Sequence, residues 1–320
     1  VICIIYLIQT MNTILYIVSI LISTATAHTL KKWFIRLGKF DAINHRSVHN
    51  TQATKTGGIT VFVTLFLITI YLYVIKQELF DFSLLIPLGI MFIVGVYDDF
   101  YNADFKLKFF LQIVVAKILI DQGFIIDHFH GILGLQEIPR IASQIFTVFV
   151  FLVIVNAINF IDGVDGMAIT ETVKVILLVE FFSMFKTPIS SLGILIVLSC
   201  LPLYYLNFKK ENKVFLGDAG SLLFGTLIAV YLFHVLDSEY TFKEAYQINK
   251  PLFTISLIIF PLIDLLRVFV IRISKKKSPF SPDQNHIHHL LLKKGYSHFK
   301  VVLIIQFVSL MFLGLVQIIA

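Results

Sequence analysis

The sequence predicts an all-α polytopic membrane protein, a bundle of about ten transmembrane helices, on three observations. Hydrophobic residues make up 58% of the chain and charged ones 14%, with a mean hydropathy of +0.88. A soluble domain carries roughly a quarter charged residues, so this chain has too few polar groups to cover a water-facing surface. Apolar runs near the spanning length of about 20 residues recur along the chain, which favours bundled helices over a barrel. Finally, Lys and Arg crowd alternate loops and are sparse in the others.

The spans fall at approximately 3–28, 58–75, 82–97, 109–126, 141–158, 167–185, 189–206, 220–236, 250–272 and 299–319. No internal repeat or low-complexity tract interrupts them, so residues 1–320 read as one integral membrane domain. The loops on one side hold sixteen Lys and Arg and those on the other hold five. The positive-inside rule therefore puts the sixteen in the cytoplasm and both termini outside. That sorting accounts for the net charge of +6 better than nucleic-acid binding does. Cys3 and Cys200 both lie in apolar runs, so no disulfide framework is expected.

Taken in order, the first apolar run ends in Thr24-Ala25-Thr26-Ala27, which imitates a signal-peptidase site. No basic residue precedes it, and Lys31, Lys32 and Arg36 follow, so the run is expected to stay as an anchor; Met11 is an alternative start. The loop 29–57 carries Asn44-His45-Arg46-Ser47-Val48-His49 and Lys55-Thr56-Gly57-Gly58. A basic, Gly-ended loop feeding a helix start suits an anionic ligand, and membrane retention by positive charge is the simpler alternative. The third span ends in Asp98-Asp99, followed by Lys106 and Lys108: either a solvated acidic turn or a magnesium site, since that ion takes one or two carboxylates plus substrate phosphates.

Between the fifth and sixth spans stands Asn156-Ala-Ile-Asn-Phe-Ile-Asp-Gly-Val-Asp-Gly166, the most informative stretch. Asn159, Asp162 and Asp165 follow one another at intervals of three, so one helical turn would gather neighbouring pairs on one face. The alternative is a polar turn with Asp caps. Leu216-Gly217-Asp218-Ala219-Gly220-Ser221 opens the eighth span, with Asp218 placed for capping or for a ligand. Phe215 before it is placed to stack on a base or to anchor at the interface. In the ninth span Asp264 and Arg267, three apart, are an ion pair or a functional pair. The loop after it runs Ser278-Pro279-Phe280-Ser281-Pro282-Asp283-Gln284-Asn285-His286-Ile287-His288-His289. Three histidines in four positions suit zinc or phosphate; with no Cys near, they read as donors to a phosphate.

Asp98, Asp99, Asp162, Asp165, Asp218 and the histidines all map to cytoplasmic ends of different spans. A secondary transporter would instead hold its polar site near the bilayer midplane. Clustered carboxylates, basic loops and histidines at one rim fit phosphoryl transfer between a charged soluble donor and a lipid acceptor.

The ordered stretches Asp98-Asp99, Asn156 to Gly166, Gly217 to Ser221 and Ser278 to His289 resemble the polyprenyl-phosphate N-acetylhexosamine-1-phosphate transferases (glycosyltransferase 4, WecA/MraY-like). The resemblance covers nearly the whole chain and is closer to the branch using UDP-GlcNAc than to the muramoyl-pentapeptide branch. It implies ten or eleven spans in a bacterial inner membrane, magnesium dependence with manganese as a substitute, undecaprenyl phosphate as acceptor and often homodimers. It implies the first membrane step of a cell-surface glycan such as a lipopolysaccharide O-antigen. By the same resemblance Asp218 is the metal ligand with Asp98 and Asp99 beside it. Asp162, Asp165, Asn156 and Asn159 line the nucleotide side, and Phe215 stacks on uracil. His286, His288 and His289 contact the diphosphate, while Lys55, Lys108 and His49 bind phosphate. Gln284 stands where the pattern has Arg, and Gln52 and Thr54 where it has prolines; these departures bear on sugar identity.

Overall fold

The computed structural model describes residues 2–40, 53–131, 134, 136–209, 211–278 and 285–319. His49, Gln52 and Gln284 lie outside them. The helices in order are α1 (Ile2–Arg36), α2 (Gly57–Val74), α3 (Leu85–Tyr101), α4 (Phe105–Asp121), α5 (Arg140–Ile161) and α6 (Met167–Phe182). They continue with α7 (Ser190–Asn207), α8 (Gly217–Leu236), α9 (Lys250–Leu257), α10 (Ile259–Ser274), α11 (Ile287–Lys293) and α12 (His298–Ile319). Local chemistry sets several boundaries. Asp104 accepts from the Lys106 N–H, so α4 starts four residues before the expected span; Asn102, left-handed at φ 53°, closes α3. Asn249 caps α9 through the Leu252 N–H, with Pro251 in the first turn.

Each expected span falls on a helix, but not all are long enough to cross. Among the described residues seven helices pass on length and hydropathy, and α9 with α10 make an eighth candidate bent by 68°. The other two, α4 and α6, have 17 and 16 residues. At 1.5 Å per residue such a helix spans roughly 25 Å, short of a hydrocarbon core about 30 Å thick.

The bundle is organised around α8, of which 89% is buried against 22–61% for the other single-helix candidates. It packs on α2, α3, α5, α6 and α9. Close approach is needed where α3 crosses its start: a Cβ on Gly95 would stand 2.3 Å from the Asp218 carbonyl oxygen. The all-α expectation needs one correction. Strand β1 (Ala53–Lys55) pairs in parallel with β2 (Lys213–Phe215), in the register Ala53↔Lys213, Thr54↔Val214 and Lys55↔Phe215. Three-residue strands are too short to leave an alternating pattern in the sequence. They lie immediately before α2 and α8, and the Gly58 N–H donates to the Leu216 carbonyl at 2.8 Å to continue the seam.

Candidate active site

The start of α8 gathers side chains from four other elements. Both oxygens of Asp99, on α3, accept backbone N–H groups there, from Asp218 and from Ala219, each at 3.0 Å. A carboxylate from a neighbouring helix thus fills the role of an N-terminal cap. Gly217, at φ +75°, permits it: a Cβ there would meet Asp99 Oδ2 at 2.6 Å. Lys55, at the end of β1, places its ammonium 3.5 Å from Asp99 Oδ1.

On the next turn of the same cluster, the Lys108 ammonium bridges Asp98 and Asp218, 3.0 Å from the Asp218 Oδ2. Asp98 also accepts the Ala103 N–H at 2.7 Å, which fixes the α3–α4 turn. Asn159 of α5 donates to Asp218 Oδ1 at 3.2 Å and to Ser221 Oγ at 2.8 Å. Asp98, Asp99, Asn159 and Asp218 therefore form one cluster with Lys55 and Lys108.

The run 156–166 does not act as one helical face. α5 ends at Ile161, and Asp162 caps it at φ −70°, ψ 5°. Asp162, half-buried, donates its backbone N–H to the Asn159 carbonyl at 3.3 Å, while its carboxyl makes no hydrogen bond to a described residue. Loss of hydration, then the charges of Asp218, Asp99 and Asp165, hold its carboxyl well above the usual carboxylate range. Asp165, in the turn beyond, faces another way: it pairs with Lys213 of β2 and lies 3.1 Å from His298 Nδ1, at the start of α12. Asn156, one turn earlier, donates to Gln112 on α4 at 2.8 Å and to the Leu152 carbonyl at 2.7 Å, not to the acidic cluster.

The histidine run closes the other side. A Cβ on Gly163 would stand 3.1 Å from His288 Nε2 and 3.4 Å from His289 Nε2, so the histidines lie directly on the turn after Asp162. The His286 and His288 rings stack at 5.2 Å, and His288 to His289 is 4.3 Å. His288 is fully buried; neither ring nitrogen makes a hydrogen bond to a described residue, and Nδ1 stands 3.8 Å from Asp264 Oδ2. Burial first, then His289, His286 and His298, hold it well below the usual histidine range, so this ring is neutral. Phe215 sits on β2 beside Lys55, at the edge of the acidic cluster.

Two donor sets can be tested for a metal. Asp98, Asp162, Asp218 and Asn159 offer oxygen ligands, the type a hard divalent ion prefers, and two of these carboxylates already share one cation, the Lys108 ammonium. The Asp162 carboxyl, which bonds no described residue, is the second sign that this set fits an ion. Among the described residues, Asp264, His286 and His288 also bring ligand atoms within 4.8 Å of one another. There, however, Asp264 is committed to His286 and to the Ile287 N–H. Sequence reasoning weighed Asp264 only with Arg267, and it missed Gln112, Lys213, Ser221 and His298 as partners. None of these links has a signature in spacing, since the partners are 44 to 133 residues apart.

The family model for glycosyl transferase family 4 matches residues 81–235, which hold the whole acidic cluster except Lys55. The chain is similar to an undecaprenyl-phosphate α-N-acetylglucosaminyl 1-phosphate transferase of Haemophilus influenzae, 31% identical over 85% of this chain and 77% of the relative. It is also similar to a probable undecaprenyl-phosphate N-acetylglucosaminyl 1-phosphate transferase of Bacillus subtilis, 28% identical over 93% and 82% respectively. A decaprenyl-phosphate N-acetylglucosaminephosphotransferase of Mycobacterium tuberculosis is 28% identical over 84% and 73%.

Proposed function

Because the chain is a multi-pass membrane protein belonging to the polyprenyl-phosphate N-acetylhexosamine-1-phosphate transferases of glycosyl transferase family 4, we propose that it moves GlcNAc-1-phosphate from UDP-GlcNAc to undecaprenyl phosphate. The reaction takes place on the cytoplasmic face of a bacterial inner membrane and starts a cell-surface glycan. The relatives' printed names support the sugar phosphate and the polyprenyl acceptor. The observation that carries the reading is the convergence of Asp98 and Asp218 on the Lys108 ammonium, with Asn159 of a third helix donating to Asp218.

A phosphate oxygen of the lipid attacks the β-phosphorus of the donor. One P–O bond forms there while the bond to the bridging oxygen breaks, and UMP leaves with that oxygen. The acceptor needs little help from a base, because a phosphate monoester with a second pKa of about 6 is mostly dianionic at neutral pH. Lys108 and Lys55 neutralise charge on the diphosphate, the histidines face it as hydrogen-bond donors, and Asn159 orients Asp218. Phe215 supplies a face for uracil next to Lys55. Asp218, with Asp98 and Asp99 beside it, would hold magnesium, which when bound would draw charge from the donor diphosphate as UMP leaves. Asp99, whose oxygens already bind the α8 backbone, keeps that ligand in place.

The direct test is UMP release by purified protein in detergent with undecaprenyl phosphate and magnesium. UDP-GlcNAc, UDP-GalNAc and UDP-MurNAc-pentapeptide are offered in parallel. Turnover with UDP-GlcNAc that stops on chelation and returns with magnesium is expected. Turnover with another donor alone reassigns the sugar, and none with any donor overturns the enzyme reading.

A further inference from the structure

The histidine run is seated on α10 by one helical turn. Asp264, wholly buried, faces His286 Nδ1 at 2.8 Å through Oδ2 and accepts the Ile287 N–H at 2.8 Å through Oδ1. Three residues on, Arg267 donates from Nη1 to the Asn285 carbonyl at 2.6 Å and stands 3.6 Å from Asp264 Oδ1. Three consecutive residues, Asn285, His286 and Ile287, are therefore gripped by two side chains of one helix. On the far side of the run, His288 and His289 meet Gly163. The run is thus wedged between α10 and the turn that carries Asp162.

We infer that Asp264 is a positioning residue for the transfer reaction, acting through His286. A carboxylate only accepts, so the proton between the two groups belongs to Nδ1. Nε2, to which no described residue bonds, is then the ring atom offered to the donor diphosphate. When Nε2 takes up a proton to donate to a phosphate oxygen, the carboxylate behind the ring stabilises the imidazolium that results. The tautomer assignment stands on geometry alone, and its link to the diphosphate rests on the function proposed above. Arg267 serves the same end by fixing the residue before the histidine.

Asp264→Asn separates this role from packing. The amide keeps the volume, and its oxygen can still cap the Ile287 N–H. Its NH2 then faces His286 Nδ1, which must become the acceptor and send the proton to Nε2. In 15N-histidine-labelled protein in detergent, the His286 signal is identified by its loss in His286→Gln. Two-bond nitrogen–proton correlations then report which ring nitrogen is protonated. The expected result is Nδ1–H in the natural chain and Nε2–H in Asp264→Asn, with kcat reduced on the order of 10- to 100-fold, as for carboxylates behind metal-bound histidines. The loss should exceed any rise in KM for UDP-GlcNAc, since the misplaced proton weakens contacts that strengthen in the transition state.

Nε2–H in the natural chain overturns the inference without any variant, so it stays testable if Asp264→Asn fails to fold. An Asn variant with unreduced kcat, or one with reduced kcat but unchanged tautomer, overturns it too. A natural protein that has the expected tautomer but releases no UMP sinks the function reading and leaves the assignment of Asp264 to His286 standing.

Discussion

The acidic and histidine sides of the site are held by opposite means. On the acidic side, charges meet charges: Lys108 between Asp98 and Asp218, Lys55 against Asp99, all anchored on the start of α8. On the histidine side, stacked rings lie on one another, His288 is buried without a hydrogen bond to a described residue, and a single carboxylate, Asp264, orders the run. The first side presents charged groups that can pair with other ions. The second offers mostly neutral, fixed surface. The comparison teaches that charge compensation and shape are assigned to different walls of one pocket.

If that division holds, the largest effect belongs to Asp218→Asn. It removes the shared carboxylate while Asp99 still caps α8, and UMP release should fall ~1,000-fold or more with the melting transition retained. Activity within tenfold of the natural protein would break the comparison at its strongest point. Lys108→Met comes next, at roughly a 100-fold loss, because Asp98 and Asp218 then face each other without their common cation. Steady-state kinetics over a range of magnesium concentrations checks whether the ion offsets part of this loss.

A smaller, purely thermodynamic effect is expected at Asp162. Its carboxyl is raised in the folded protein, so protonation favours the folded state. The stability it contributes is complete below the ordinary carboxylate value of about 4 and is lost as pH rises through the raised value. Without magnesium, Asp162→Asn should melt higher than the natural protein at pH 8, and the difference should shrink toward pH 5. An equal difference at both values would remove the electrostatic cause. The mildest change is Gly163→Ala, whose Cβ must displace the His288 and His289 rings by a few tenths of an ångström. A severalfold loss of kcat is expected; a loss as large as that of Asp218→Asn would erase the distinction between the two walls.

Much of this was readable in the chain before any coordinates. Nine of the ten expected spans fall on single helices and the other on the bent pair α9–α10, and Asp98–Asp99, Asn159 and Asp218, far apart in sequence, meet in one cluster. What could not be read was which way each polar side chain turns. Asn159, Asp162 and Asp165 have helical spacing, yet the helix stops at Ile161 and Asp165 turns to Lys213 and His298. Asn156 looked like part of the same motif and instead bonds Gln112. Asp99 looked like a twin of Asp98, yet it caps a helix that begins 118 positions later. Periodicity describes a segment's own faces; these choices depend on the neighbour that happens to pack there.

The short parallel seam between Ala53–Lys55 and Lys213–Phe215 works as a ruler for the pocket's rim. Successive strand residues point to opposite sides, so slippage by a single rung would swap which flank Lys55 and Phe215 present. One added or deleted amino acid just ahead of Gly57 or Gly217 would thus misalign cation and aromatic ring together. Length, and not only composition, is under constraint in these two linkers.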